Sequence, residues 1–115
     1  MTKITIKTPT SAGMLDLTGY PVRTLVAGKP VRVLVHAPLH SPPGSRITEI
    51  THIPSGQRMG WGSYSAGAAY LRATGSARGS YTHKEVVEAA MVLLVREHGE
   101  AAVVERIAAA QVINK

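Results

Sequence analysis

The sequence predicts an α+β fold: an antiparallel sheet of four to five strands, its hairpins in residues 1–61, packed by a C-terminal αα-hairpin. Three observations lead there. Short β-branched and alternating runs, separated by Gly and Pro clusters, occupy the first half of the chain. A capping box and a long apolar helical run occupy the last third. Strand signals precede the helix signals, an order that gathers helices on one face of an antiparallel sheet. With 115 residues, 44% hydrophobic and 17% charged, the chain is too apolar for disorder and long enough for one core without crosslinks. One domain is expected over 1–115, strand-rich and basic over 1–61 and helical over 65–115.

Ile4 and Ile6 alternate with Lys3, Thr5 and Lys7, which marks a first strand. Residues 8–20 hold Pro9, Gly13 and Gly19 and read as a turn-rich connection. Residues 22–36 carry the strongest β signal. With Gly28 and Lys29 as a two-residue turn, Val26 pairs with Val31, Thr24 with Val33 and Val22 with Val35. Those six share one mostly apolar face, and Arg23, Leu25, Arg32, Leu34 and His36 share the other. Residues 37–45 contain Pro38, Pro42 and Pro43, which cannot donate to a ladder, so a loop is expected. A second hairpin follows, with Pro54, Ser55 and Gly56 as its turn.

Residues 65–74 read as a short helix with Ser63 or Ser65 as its cap. Thr82 and Glu85 form a capping box that opens a helix to His98, where Gly99 is the natural stop. Residues 89–95 are all apolar and wrap nearly two turns, so this helix needs cover on more than one side. A final Ala-rich helix, from Glu100 to about Val112, is the expected cover. A homodimer through the helix around Ala89, Leu93 and Leu94 is the other use of the same surface.

Charge is unevenly spread. Thirteen Lys and Arg against seven Asp and Glu give a net charge of +6. Up to residue 83 the only acids are Asp16 and Glu49, whereas five glutamates lie beyond it. The strand-rich part is therefore the one suited to a polyanion. The absence of cysteine excludes disulfide frameworks, thiolate catalysis and Cys-based metal sites. No apolar run approaches the roughly 18 residues of a membrane span, and the first strand leaves no signal-peptide core, so a cytoplasmic location without membrane contact is expected.

Residues 50–84 mix cations with rings and hold no acid: Arg58, Trp61, Tyr64, Arg72, Tyr81 and Lys84, with Arg78 among them. Cations neutralise phosphates and flat rings stack on unpaired bases, so these residues, together with Arg23 and Arg32 on one hairpin face, are the candidate contact residues. The same rings also serve a core that has no phenylalanine. No catalytic constellation is visible. Residues 63–67 fall one residue short of a Gly-x-Ser-x-Gly elbow, and Asp16 is the sole aspartate. The five histidines lack ligand spacing and carboxylate partners, so no metal or other cofactor is expected. The helix after Gly99 opens on Glu100, the wrong charge for reading a groove.

The chain thus reads as a small non-enzymatic binding protein whose basic strand-rich part contacts nucleic acid or a nucleoprotein complex. The alternative is a protein-interaction or inhibitor module without nucleic-acid contact. In type it resembles the short accessory proteins of phages and plasmids that act on host complexes, although no motif assigns a family.

Overall fold

The computed structural model describes residues 2–38, 47–60, 62–75 and 80–114. Five strands come first: β1 (Ile4–Thr10), β2 (Gly13–Val26), β3 (Lys29–His36), β4 (Glu49–His52) and β5 (Gln57–Arg58). They form one antiparallel sheet in sequence order. Three helices follow, α1 (Ser63–Thr74), α2 (His83–His98) and α3 (Glu100–Ala109). The expected α+β architecture holds, with a curled sheet and its helices packed on one face.

The curl originates in β2, which changes partner along its length. Residues 13–19 pair with β1 and residues 20–26 with β3. Pro21 lies just past the switch, at a position whose N–H would face the β1 side; lacking that donor, it cannot extend the β1 ladder. The sequence had assigned much of this stretch to a loop. Leu15 and Leu17 in fact alternate with Asp16 and Thr18 on a strand, and Gly13 and Gly19 mark its start and its switch.

The β2–β3 register also differs from expectation. The turn is Ala27 and Gly28, both at positive φ, and Val26 pairs with Lys29. A Gly28–Lys29 turn would put Pro30 in the closing pair of the hairpin, where an N–H must donate. In the observed register Pro30 lies opposite Leu25, where its nitrogen faces outward. The register slides by two residues, so every side chain keeps its predicted face.

Two hydrophobic clusters result. Val22, Val26, Val31, Val33, Val35 and Ile50 face the helices, where Val87, Ala90, Met91 and Val103 meet them. Ile6, Leu17, Leu34 and Ile53 fill the inside of the curl. Val33, Leu34 and Val35 are therefore all buried, which is why β3 is a continuous apolar run at its centre.

The Thr82–Glu85 capping box forms as expected, and Gly99 ends α2. The cover of α2 differs from expectation. Helix α1, rather than α3, is its chief neighbour, packed so closely that a Cβ on Gly67 would lie 2.5 Å from the Val86 carbonyl oxygen. The α1 cap differs too: the N-cap is Gly62, and Ser63 instead donates its hydroxyl to the Met59 carbonyl at 2.7 Å. Helix α3 stops at Ala109, short of Val112, because the chain beyond it is bound elsewhere. Ile113 and Asn114 donate their N–H groups to the Pro54 carbonyl at 2.7 and 2.9 Å.

That tail closes the sheet. At Lys7 the backbone N–H and C=O point away from β2, presenting the pair of groups a neighbouring strand would take. The Asn114 side-chain amide takes them instead, accepting from the Lys7 N–H and donating to the Lys7 carbonyl, both at 2.8 Å. It also donates to the Ile53 carbonyl at 2.8 Å, joining the β1 edge to the end of β4. Beside it, Thr8 donates its hydroxyl to the Gly56 carbonyl at 2.6 Å. Gly56 has φ +68 and no room for a Cβ, which would lie 2.3 Å from the Lys7 carbonyl oxygen.

Candidate binding surfaces

Strand alternation brings two of the predicted residues together. Val22, Thr24 and Val26 point toward the helices, so Arg23 and Leu25 point away from them. Arg32 lies directly opposite Arg23, and both are exposed. Theirs is a non-hydrogen-bonded pair, the kind in which side chains approach most closely, and like charges there repel. Among the described residues neither guanidinium has an acidic partner. Lys29 is exposed at the hairpin tip, and Leu25, 63% exposed, lies across from Pro30.

The other predicted residues lie apart from this pair. Arg58 on β5 reaches back along the sheet to Glu49 on β4, with Nη1 2.8 Å from the carboxylate. Arg72 is exposed in the last turn of α1, and Lys84 in the first turn of α2. These two ride on the helices, whereas Arg23 and Arg32 project from the opposite face of the sheet. Tyr64 is half-buried against the core, and burial raises its pKa above the usual tyrosine range. Its hydroxyl bonds Nδ1 of His83 at 2.8 Å. Tyr81, also half-buried, donates its hydroxyl to the Leu71 carbonyl at 3.1 Å. Trp61 and Arg78 lie outside the described residues.

Three side chains that the sequence did not single out join this region. Tyr20 stacks on His83 with ring centroids 5.4 Å apart, and the Lys3 ammonium lies 5.3 Å from the Tyr20 ring centre. Pairing of β1 with β2 brings Lys3 to Tyr20, and packing of α2 on β2 brings His83, so no local sequence signal marks them. On the helix surface proposed for a homodimer, Ala89 is buried and Leu94 packs on the core. Leu93, half-buried, and Val92, 45% exposed, are what α2 offers to solvent there.

Two histidines are buried and neutral. His36 donates from Nδ1 to the Ala37 carbonyl at 2.7 Å and accepts at Nε2 from the Thr51 hydroxyl at 2.6 Å. Burial lowers its pKa below 6.5, outweighing the opposing pull of that carbonyl. His52 is lowered as well, by burial first and then by the Arg32 guanidinium. Its Nδ1 lies 2.8 Å from the Ser55 hydroxyl, which also accepts from the Gln57 N–H at 3.2 Å. In the hydrolytic triad the serine meets Nε2 while Nδ1 turns to an acid. Here Nδ1 is used by the serine, Ser55 is only 2% exposed, and no carboxylate orients the ring among the described residues.

Among the described residues no three of His, Asp and Glu come together as a metal-ion site. Nor is any helix there long and apolar enough to cross a membrane. No family model, no curated protein and no solved structure matches the chain.

Proposed function

We propose that the protein is a non-enzymatic binding module whose β2–β3 hairpin contacts the phosphate backbone of nucleic acid, free or within a nucleoprotein complex. The Arg23–Arg32 pair carries this reading. Two unneutralised guanidiniums held side by side on a rigid ladder destabilise the free protein, and an anion bridging them relieves that repulsion. Lys29 at the hairpin tip extends the same charge. Arg58, Tyr64 and Tyr81 contribute less, because each already has an intramolecular partner. A cytoplasmic location accords with such a partner.

Fluorescence anisotropy with labelled single- and double-stranded oligonucleotides at two salt concentrations tests the proposal. Affinity falls steeply with salt, and each arginine removed reduces the salt slope by about one. Salt-insensitive retention, or full affinity in an Arg23→Ala, Arg32→Ala double variant, would sink it. The exposed Leu25 beside the arginines favours a second reading, an acidic protein partner with an apolar contact. In that case Leu25→Ser abolishes capture of the partner while oligonucleotides do not bind at all.

A further inference from the structure

Between the β4–β5 hairpin and helices α2 and α3 lies an open cleft of about 600 Å³, within the size range of small-ligand sites. The arginine pair is not part of it. One wall is apolar, made by Met59 after β5, Leu94 on α2, and Val103 and Ile107 on α3. The floor is polar and comes from the ladder. His52 pairs directly with Gln57, so both side chains leave the sheet on the same face. That face is the one turned to the helices, because Val33, opposite His52, and Ile50, two residues earlier, both belong to the helix-side core.

Hydrogen bonding fixes what the floor offers. The Ser55 hydroxyl accepts from the Gln57 N–H and is nearly inaccessible to solvent. Its one proton has no acceptor other than His52 Nδ1 among the described residues, so it donates there. The ring proton then resides on Nε2. With the imidazolium disfavoured by burial and by Arg32, His52 is a neutral ring that presents an N–H donor at the cleft. Gln57, exposed beside it, adds a side-chain amide.

We propose that this cleft binds a small carboxylate with an apolar body. The carboxylate accepts from His52 Nε2–H and from the Gln57 amide, while the body lies along Met59, Leu94, Val103 and Ile107. Arg106 at the rim supplies positive charge, opposed there by Glu105. Arg58 also borders the cleft, but its guanidinium is held by Glu49. A ligand head with fewer acceptor sites, such as an alcohol, satisfies this floor less well.

The test is an NMR titration of the isotope-labelled protein with benzoate, and separately with benzyl alcohol, which keeps the ring and lacks the carboxylate. Benzoate shifts signals of the cleft residues, and benzyl alcohol binds more weakly by about tenfold or more. Gln57→Leu, a change at an exposed position that leaves the core untouched, weakens benzoate by about tenfold and spares benzyl alcohol. Long-range nitrogen correlations of the His52 ring report the proton on Nε2. Equal affinity for the two probes overturns the proposal, as does the absence of cleft shifts, or benzoate shifts centred on Arg23 and Arg32. The arginine-pair reading stands or falls separately, on the oligonucleotide titration.

Discussion

Replacing Asn114 with alanine removes three hydrogen bonds of 2.8 Å that tie the chain's tail to β1 and β4. Each is worth about 0.5–1.5 kcal/mol net, and water can reach the β1 edge to replace part of what is lost, so the total is about 2 kcal/mol. For a chain of this length that corresponds to a drop in Tm of roughly 6–10 °C. Asn114→Asp sharpens the test. A carboxylate still accepts from the Lys7 N–H but faces the Lys7 and Ile53 carbonyls with acceptor against acceptor. At neutral pH the aspartate variant is therefore less stable than the alanine variant. Those carbonyls raise the new carboxyl's pKa in the folded state above its unfolded value of about 3.9, so the folded form takes up its proton first. Relative to wild type, the aspartate variant regains stability as the pH falls through that folded pKa. Thermal and urea denaturation of the three proteins at two pH values measures all of this. An alanine variant as stable as wild type, or an aspartate variant that matches it at neutral pH, would show that the tail does not hold the sheet closed.

Three further outcomes follow from the geometry. Arg32→Glu turns a repulsive cross-strand pair into an attractive one, raising stability by about 0.2–1 kcal/mol while weakening oligonucleotide binding; a loss of both would refute the repulsion. Ala27 adopts φ 52, a left-handed conformation costing an alanine roughly 1–2 kcal/mol, so Ala27→Asn raises the urea midpoint, and an unchanged or lower midpoint would contradict the turn assignment. His36 and His52 have folded-state pKa values below 6.5, so the unfolded chain binds more protons on the acid side of that value. Stability is full above the unfolded pKa and falls as the pH drops below it, and denaturation curves that stay flat between about pH 7 and pH 5 would speak against the two buried rings.

How far the sequence could be read depended on the period of the signal. The two faces of the β2–β3 hairpin were legible, because alternation survives a two-residue slide and Arg23 shares a face with Arg32 under either register, although only the observed one sets them opposite each other. The register itself turned on one missing N–H at Pro30. The first half of β2 was hidden by its glycines, which signal turns more often than strand starts and switches. That α1 would cover α2 depended on Gly67 alone, a single small residue in a run of alanines. At the site level, Arg58 looked like a free cation because its partner Glu49 is nine residues away and is brought near only by β4–β5 pairing. His52 lay in plain view as a strand residue and Ser55 as a turn residue; their burial and the cleft beside them are tertiary facts.

The Asn114 contact also orders events in time. Lys7 and Asn114 are separated by 107 positions, so the outer edge of β1 waits for that length of chain to be synthesised before its partner exists. During that interval β1 and β2 can pair as a local hairpin, but the opposite edge remains a row of unmatched N–H and C=O groups, the template on which nascent chains aggregate. Lys3, Lys7 and the nitrogen-blocked Pro9 occupy that strand or its approach, and charge and proline are the devices that keep an open edge from recruiting a neighbour. The chain thus guards early, by composition, the seam that it closes late by geometry.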